Sequence, residues 1–309
     1  MIRARRLVVI VGPTAVGKTE LAFRLAKRIG AEIVSADSRQ IYRYMDIGTA
    51  KPTPEQRKAV KHHFIDIVNP DERYTAGDYG QQARSVIRDL FCQNQFPVVV
   101  GGSGFYIRAL LDGLFHGPRS DPKVKEGLIE KVKRLGSNRL HQELMRIDSE
   151  AAGRIHPNDI QRIVRALEVY QLTGKPISRL QRESPQGMFE FEPIIIGLTM
   201  ERTCLYQRID KRVDDMISKG LIEEVKKLEE MGYGRDLNSL NTVGYKEIFP
   251  LLDGEARLEE TVDRIKKNSR RYAKRQLTWF RRDPRIKWTQ VRDQNLVVEE
   301  ILRIIESST

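Results

Sequence analysis

Cysteine is almost missing from this sequence. The two present, Cys92 and Cys204, lie 112 positions apart, outside any CxxC pair or Cys/His cluster, which excludes a disulfide scaffold and an evident zinc module. Long apolar runs are missing too. None approaches the roughly 18–20 residues needed to cross a bilayer, so the chain does not read as an integral membrane protein. Arg3, Arg5 and Arg6 ahead of Leu7–Val11 imitate a signal peptide, but that stretch stops at Gly12-Pro13, short of the roughly 7–15 apolar residues such a segment carries. A cytosolic setting is expected. Internal repeats and low-complexity tracts are absent as well. What remains is a globular balance, 40% apolar and 31% charged residues in a chain of 309, enough for about two domains.

The chain does carry charge of one sign in excess. Lys and Arg number 54 against 42 Asp and Glu, a formal +12, which points towards a polyanionic partner. The excess is concentrated. Residues 262–287 hold eleven Lys and Arg against Asp263 and Asp283, so this one segment carries +9 of the total. Within it Arg264, Lys267, Arg271 and Lys274 share one helical face, and Leu258, Val262, Ile265 and Tyr272 share the other. The pattern predicts an anchored helix that presents cations outward, with a solvated surface helix as the alternative.

Hydrophobic periodicity gives the organisation. Leu7–Val11 is a continuous branched run, as in a strand buried on both faces of a parallel sheet. Thr19–Ile29 spaces Leu21, Leu25 and Ile29 as one helical stripe, with Gly30 as its stop. Further strands are predicted at Glu32–Ala36, Phe64–Val68, Pro97–Val100 and Pro193–Leu198. Strands alternating with helices predict an α/β fold, a parallel sheet flanked by helices. Between about Asp121 and Glu183 only helical stripes are found. One is Val124, Leu128, Ile129, Val132 and Leu135; another is Ile160, Ile163, Val164, Leu167 and Tyr170. An all-helical insertion domain at 118–189 is therefore expected inside a core formed by 1–117 and 190–309. Cys204–Glu230 and Leu258–Phe280 read as long helices.

Between the first strand and the first helix stands Gly12-Pro13-Thr14-Ala15-Val16-Gly17-Lys18-Thr19, a full GxxxxGK[ST] phosphate loop in its confirming context. Glycines let backbone N–H groups curl round phosphate oxygens, and the helix N-terminus adds a positive end. Lys18 neutralises phosphate, and the Thr19 hydroxyl is placed to ligate Mg²⁺. The acid-ended strand that usually accompanies this loop is missing: Val98-Val99-Val100 runs instead into Gly101-Gly102-Ser103-Gly104. The nearest strand-end acid is Asp37, in Asp37-Ser38-Arg39-Gln40. Strand ends of an open parallel sheet gather on one edge, so Lys18, Asp37 and Ser103 are expected in one crevice. There Asp37 either takes a proton from a nucleophile or binds a metal; its ordinary alternative is a helix N-cap. For Ser103 the alternative is a hydroxyl in a glycine turn. Arg208 and Arg212 stand four apart on one helix face, able to close over the same phosphates or to lie in solvent. His62-His63 receives no role, because neighbours on a strand face opposite ways.

Taken together these motifs resemble the tRNA dimethylallyltransferase family, also called tRNA isopentenyltransferases. The resemblance rests on Gly12–Thr19, Asp37–Gln40 and Gly101–Gly104, then on Gln161-Arg162-Ile163-Val164-Arg165-Ala166-Leu167-Glu168, Arg208-Ile209-Asp210-Lys211-Arg212 and Val243-Gly244-Tyr245-Lys246-Glu247, six motifs in order along most of the chain. It implies a bacterial-type enzyme, because the Cys/His zinc motif of eukaryotic relatives is missing. The implied reaction moves a dimethylallyl group from dimethylallyl diphosphate to the exocyclic amine of the adenosine just 3′ of the anticodon. By the same resemblance Gly12–Thr19 hold pyrophosphate with Mg²⁺ and Asp37 is the general base. Ser38, Arg39 and Gln40 touch the target nucleotide. Ser103 replaces a common threonine, keeping the hydroxyl. Gln161–Arg165, Gly244, Tyr245 and Lys246 are expected to contact the anticodon stem-loop.

That chemistry agrees with the residues. Adenine's amine is a weak nucleophile whose protons become acidic as the new bond forms, so a carboxylate beside it can take one. A phosphate loop stabilises the negative charge growing on the departing pyrophosphate. The base has to leave its stack to react, and Arg271, Lys274 and Arg275 on the basic helix are expected to hold RNA phosphates meanwhile. A phosphate-loop kinase acting on a nucleotide or a small hydroxyl compound is the rival enzyme. Nothing asks for a partner subunit, and a monomer without membrane attachment is expected.

Overall fold

The computed structural model describes residues 6–115, 117–183, 191–291 and 294–306. Arg3, Arg5 and the expected boundary at 189–190 lie outside them. The chain divides into two compact units, Met1–Leu111 with Phe189–Thr309, and Asp112–Met188. The first crossing falls at Leu111–Asp112 rather than after residue 117.

The larger unit is an α/β fold around one six-stranded sheet. Its strands are β1 (Arg6–Val11), β2 (Glu32–Ser35), β3 (His62–His63), β4 (Pro97–Gly101), β5 (Glu192–Thr199) and β6 (Lys287–Gln290), in the order β3-β2-β4-β1-β5-β6. Every pairing is parallel; β1 at the centre sets Ile10 opposite Val100 on one side and Ile196 on the other. Side chains alternate between faces, and both faces are covered. Val9, Val11, Val34 and Val99 join one core cluster; Val8, Ile10, Ile33, Val98 and Ile196 join the other. The strands therefore carry unbroken branched runs, and their C-terminal ends deliver the phosphate loop, Asp37 and Gly101–Gly104 to one edge.

Two expectations need correction here, and one strand was not expected. Phe64–Val68 is not a strand. Pairing stops at His63 because Phe64 (φ +63°) and Asp66 (φ +57°) turn left-handed, leaving one bridge between Tyr42 and Val68. The helix expected over Cys204–Glu230 is two, Arg202–Ser218 and Leu221–Glu230, separated at Gly220 with φ +93°. β6 was not foreseen: its residues, Lys287-Trp288-Thr289-Gln290, are half-exposed at the sheet edge and lack an apolar run.

The smaller unit contains helices Pro122–Leu135, Ser137–Ile147, Ser149–Arg154, Ile160–Thr173 and Ile177–Glu183, and no strand among its described residues. Asp121 caps the first by accepting from Lys123 and Val124 amides, with Pro122 at the first helical position. Gly174 (φ +67°) closes the fourth. Leu128, Leu140, Leu144, Ile163, Val164 and Leu167 form its core. Ile160 and Tyr170, expected on the buried stripe, are exposed at the two ends of their helix. The buried Glu168 carboxylate ties the unit together, accepting from Ser120, the Asp121 amide and Arg165.

Candidate active site

After Val11 the chain turns through Gly12 (φ +149°), Ala15 (φ +63°) and Gly17 (φ +101°) before the helix Lys18–Ile29 begins. A Cβ on Gly12 would lie 2.7 Å from the Leu198 carbonyl oxygen, which leaves room for glycine alone. No side chain caps the helix at Gly17, so its first-turn N–H groups are left for an anion or water. Lys18 Nζ folds back to donate to the Pro13 carbonyl at 2.7 Å. Burial pushes its ammonium down to about 7, with Asp37 opposing the shift and Arg212 adding to it. A cation held this far from its ordinary state gains most when a phosphate arrives.

Asp37 follows β2. Its Oδ1 accepts from the Arg39 amide at 2.9 Å and from the Gln40 amide at 3.4 Å. The cap-like use foreseen as the alternative is therefore real, and it leaves Oδ2 without a hydrogen-bond partner among the described residues. Ser103 does not line the crevice as expected. It supports the turn from behind: its Oγ accepts from the Ser38 amide at 2.9 Å and its hydroxyl donates to Ser38 Oγ at 3.1 Å. Gln40 is buried, its amide donating to the carbonyls of Thr49 and Ala50, and it still borders the cavity.

Two cavities meet at Asp37. The first, about 370 Å³, is lined by Thr14, Ala15, Gly17, Lys18 and Thr19 of the phosphate loop together with Asp37, Arg208 and Arg212. The second, about 300 Å³, is lined by Ser38, Arg39, Gly48, Asn241, Gly244, Lys246 and Arg275. Thr14, Asp37, Thr49, Arg212 and Tyr272 border both. The pair expected from Arg208 and Arg212 is thus on the phosphate side, with Arg212 reaching both spaces. Burial lowers the Arg212 guanidinium from its usual range. It also pushes the Tyr272 hydroxyl up to about 12, assisted by Asp37.

The Val243–Glu247 motif builds the second cavity from outside. Tyr245 is fully buried, so its side chain contacts no RNA, contrary to expectation. Its hydroxyl donates to Glu224 Oε1 at 2.7 Å, and the same carboxylate accepts from the amides of Asp46, Ile47 and Gly48. Gly48 is glycine because a Cβ there would lie 2.4 Å from the Tyr245 ring. Glu247, also buried, accepts from the Gly244 amide and from Asn268 on the Leu258–Phe280 helix. Only Gly244 and Lys246 of the motif's expected contact residues line the cavity.

In the smaller unit, Ile163 and Val164 are core residues and Arg165 is held by Glu168 and the Pro118 carbonyl. Gln161 and Arg162 are exposed. On the basic helix, Leu258–Phe280 as expected, Arg264, Lys267, Arg271, Lys274 and Arg275 face solvent, whereas Lys266 and Arg270 are paired with Asp214 and Asp210. Ile265 is buried as expected, but Leu258 and Tyr272, assigned to the same face, are partly exposed; Thr261, Ala273, Gln276 and Phe280 are buried as well.

Sequence reasoning missed Glu224, Tyr272 and Gln276. Glu224 resembles any surface acid on an amphipathic helix. Gln276 gave one weak signal, an uncharged amide inside the run Lys274-Arg275-Gln276. As for a metal, Thr19 and Asp37 offer oxygen donors in the first cavity, and no group of three or more His, Cys, Asp or Glu suited to an ion is found among the described residues. That donor set fits Mg²⁺, which takes few protein ligands and fills its shell with phosphate and water.

Comparison with known proteins gives the family. The family model "IPP transferase" matches residues 40–283, beginning after the phosphate loop. A tRNA dimethylallyltransferase of Carboxydothermus hydrogenoformans is 47% identical over 302 residues, covering 97% of each chain. The crystal structure of the full-length tRNA isopentenylpyrophosphate transferase of Bacillus halodurans superposes with a TM-score of 0.73 at 44% identity, over 98% of this chain and 96% of that one. A eukaryotic dimethylallyltransferase caught acting on tRNA gives a TM-score of 0.83 at 27% identity, over 98% of this chain and 80% of that one. On this evidence the chain belongs to the IPP transferase family of tRNA dimethylallyltransferases.

Proposed function

We propose that this protein transfers a dimethylallyl group from dimethylallyl diphosphate to the exocyclic amine of the adenosine 3′ of the anticodon, releasing pyrophosphate. The observation that carries the reading is the meeting of two cavities at Asp37. One has the phosphate loop as its floor; the other is bordered by Ser38, Arg39, Lys246 and Arg275. A group transfer between a diphosphate and a nucleotide needs two such spaces with a base at their junction.

The diphosphate lies against Ala15 and Gly17–Thr19 of the phosphate loop, since Pro13 has no N–H and the Thr14 N–H is given to Gln276, with Lys18 and Arg212 on its oxygens, and Arg208 at the rim. The adenosine enters from the second cavity with its amine towards Asp37. As that nitrogen bonds to the allylic carbon, the carbon–oxygen bond to diphosphate breaks and the amine proton passes to the Asp37 carboxylate. Lys18 and Arg212 stabilise pyrophosphate more than intact donor, because its charge is greater. Thr19, with phosphate oxygens and water, would hold Mg²⁺, which would supply further neutralisation of that charge. Ser103 acts through Ser38, fixing the turn that aims Asp37.

The anticodon stem-loop is held by solvent-facing cations of the Leu258–Phe280 helix, Arg271, Lys274 and Arg275, and by Gln161 and Arg162 on the smaller unit, which is the tRNA-contacting domain. No helix among the described residues is long and apolar enough to cross a membrane. Incubation with Mg²⁺, labelled dimethylallyl diphosphate and unmodified bulk tRNA tests the reading. Label entering tRNA is expected. Release of ADP from ATP without label in tRNA would favour the kinase instead.

A further inference from the structure

The Leu258–Phe280 helix reaches the phosphate loop through one side chain. Gln276 is 7% exposed. Its Oε1 accepts from the Thr14 amide at 2.8 Å, and its Nε2 donates to the Gly102 carbonyl at 3.0 Å. The first partner belongs to the loop that follows β1 and the second to the turn that follows β4. One partner is a backbone donor and the other a backbone acceptor, so a carboxamide satisfies both and an ionised carboxylate satisfies one. The surroundings are shaped to admit it: a Cβ on Gly102 would lie 2.3 Å from Gln276 Nε2. Gly102, read from sequence as part of a turn, is thus also a clearance for this amide.

Neighbours on the same helix point to what the bridge serves. Tyr272, one turn earlier, borders both cavities, and the adjacent Arg275 lines the second. Lys274 is exposed beside them. A single rigid helix therefore carries the cations assigned to RNA, a wall of the junction and the clamp on the phosphate loop. We propose that Gln276 is a positioning residue for the donor: it fixes the first half of the phosphate loop against the β4 turn and makes the loop's geometry depend on the RNA-facing helix. The inference rests on the reading that this loop holds the donor's diphosphate. Without the clamp, the part-buried Thr14 N–H and the buried Gly102 C=O lose their partners, and the loop relaxes towards other acceptors and donors.

The test compares wild type, Gln276→Leu, Gln276→Glu and Lys18→Ala, each as the full chain. Binding of inorganic pyrophosphate with Mg²⁺ is measured by calorimetry from pH 6 to 8, alongside donor KM, tRNA affinity and thermal melting. Gln276→Leu should weaken pyrophosphate by about tenfold, the loss expected for a buried hydrogen-bonded pair, with tRNA affinity within about twofold. Gln276→Glu should be similarly weak at pH 8. Relative to wild type it should recover as pH falls, because a protonated carboxyl donates to Gly102 while accepting from Thr14. If Gln276→Leu does not fold, that recovery decides alone.

Wild-type pyrophosphate binding in the Gln276 variants, with Lys18→Ala impaired, overturns the inference. So do equal losses of pyrophosphate and tRNA binding without recovery at low pH, which mark a merely structural residue. Wild-type pyrophosphate binding in Lys18→Ala overturns instead the reading that the loop holds the diphosphate.

Discussion

The two cavities that meet at Asp37 are built in opposite ways. The phosphate side takes its floor from Thr14, Ala15, Gly17, Lys18 and Thr19, residues of one short loop that one strand and one helix hold in place. The other side is assembled from six separate stretches: Thr14, Asp37–Arg39, Gly48–Thr49, one face of the Arg202–Ser218 helix, Asn241–Gly244 with Lys246, and the face of the basic helix. A phosphate is met by backbone amides, and a short glycine-containing segment supplies those locally. A nucleotide is met by scattered side chains, and loops must be anchored to bring them together. Glu224 is such an anchor, spending its carboxylate on the amides of the 46–48 loop and on the Tyr245 hydroxyl rather than on a ligand.

The largest effect should come from the group that belongs to both sides. Asp37→Asn keeps an oxygen for the Arg39 amide and removes the base. Turnover should fall by roughly 10²–10⁴, as for loss of a general base, while pyrophosphate and tRNA affinities stay within a few-fold of wild type in equilibrium binding. A large loss of either affinity would show that Asp37 serves the architecture of one cavity and not the junction.

Lys18→Ala should separate the two sides. Pyrophosphate binding should weaken by roughly 10–100-fold, the loss of one charge-assisted hydrogen bond, with tRNA binding little changed. The effect should depend on pH in a defined direction. Lys18 sits at about 7 in the free protein, and a bound diphosphate raises it. Below pH 7 the ammonium is already charged and the advantage over Lys18→Ala is constant. Above pH 7 each binding event takes up a proton, so the advantage falls by up to about tenfold per unit. A ratio of affinities flat to pH 9 would place the lysine's titration elsewhere.

The smallest effect per residue belongs to the basic helix. Replacing Arg271, Lys274 and Arg275 together by Gln should weaken tRNA binding and reduce its salt slope by roughly two to three, slightly under one per lost phosphate contact. Melting temperature should hardly move, because exposed charges contribute little to folding. Parallel salt lines of equal height would mean that these three touch no phosphate.

The same contrast explains what could be read in advance. The parallel sheet was legible because strands buried on both faces carry unbroken branched runs, and the phosphate loop because its physics is local. Asp37 was legible from its place at a strand end. Glu224 and Gln276 were not, since their partners lie 176–178 and 174–262 positions away along the chain. Motif membership also overstated contact. Ile163, Val164 and Tyr245 stand within motifs yet are buried, because a motif records whatever a site needs, including the packing behind it. Phe64–Val68 misled for a backbone reason, two left-handed residues that composition does not announce.

The central claim is that a donor on the phosphate loop and an adenosine in the second cavity meet at Asp37. It is tested most directly by mapping the transferred group. Wild-type protein, Mg²⁺ and labelled dimethylallyl diphosphate are given two tRNAs that differ only in carrying adenosine or guanosine 3′ of the anticodon, and the digested nucleosides are separated. The account predicts one labelled product, an adenosine modified on its exocyclic amine, from the first tRNA and none from the second. Equal label in both, or label at another position, would contradict it.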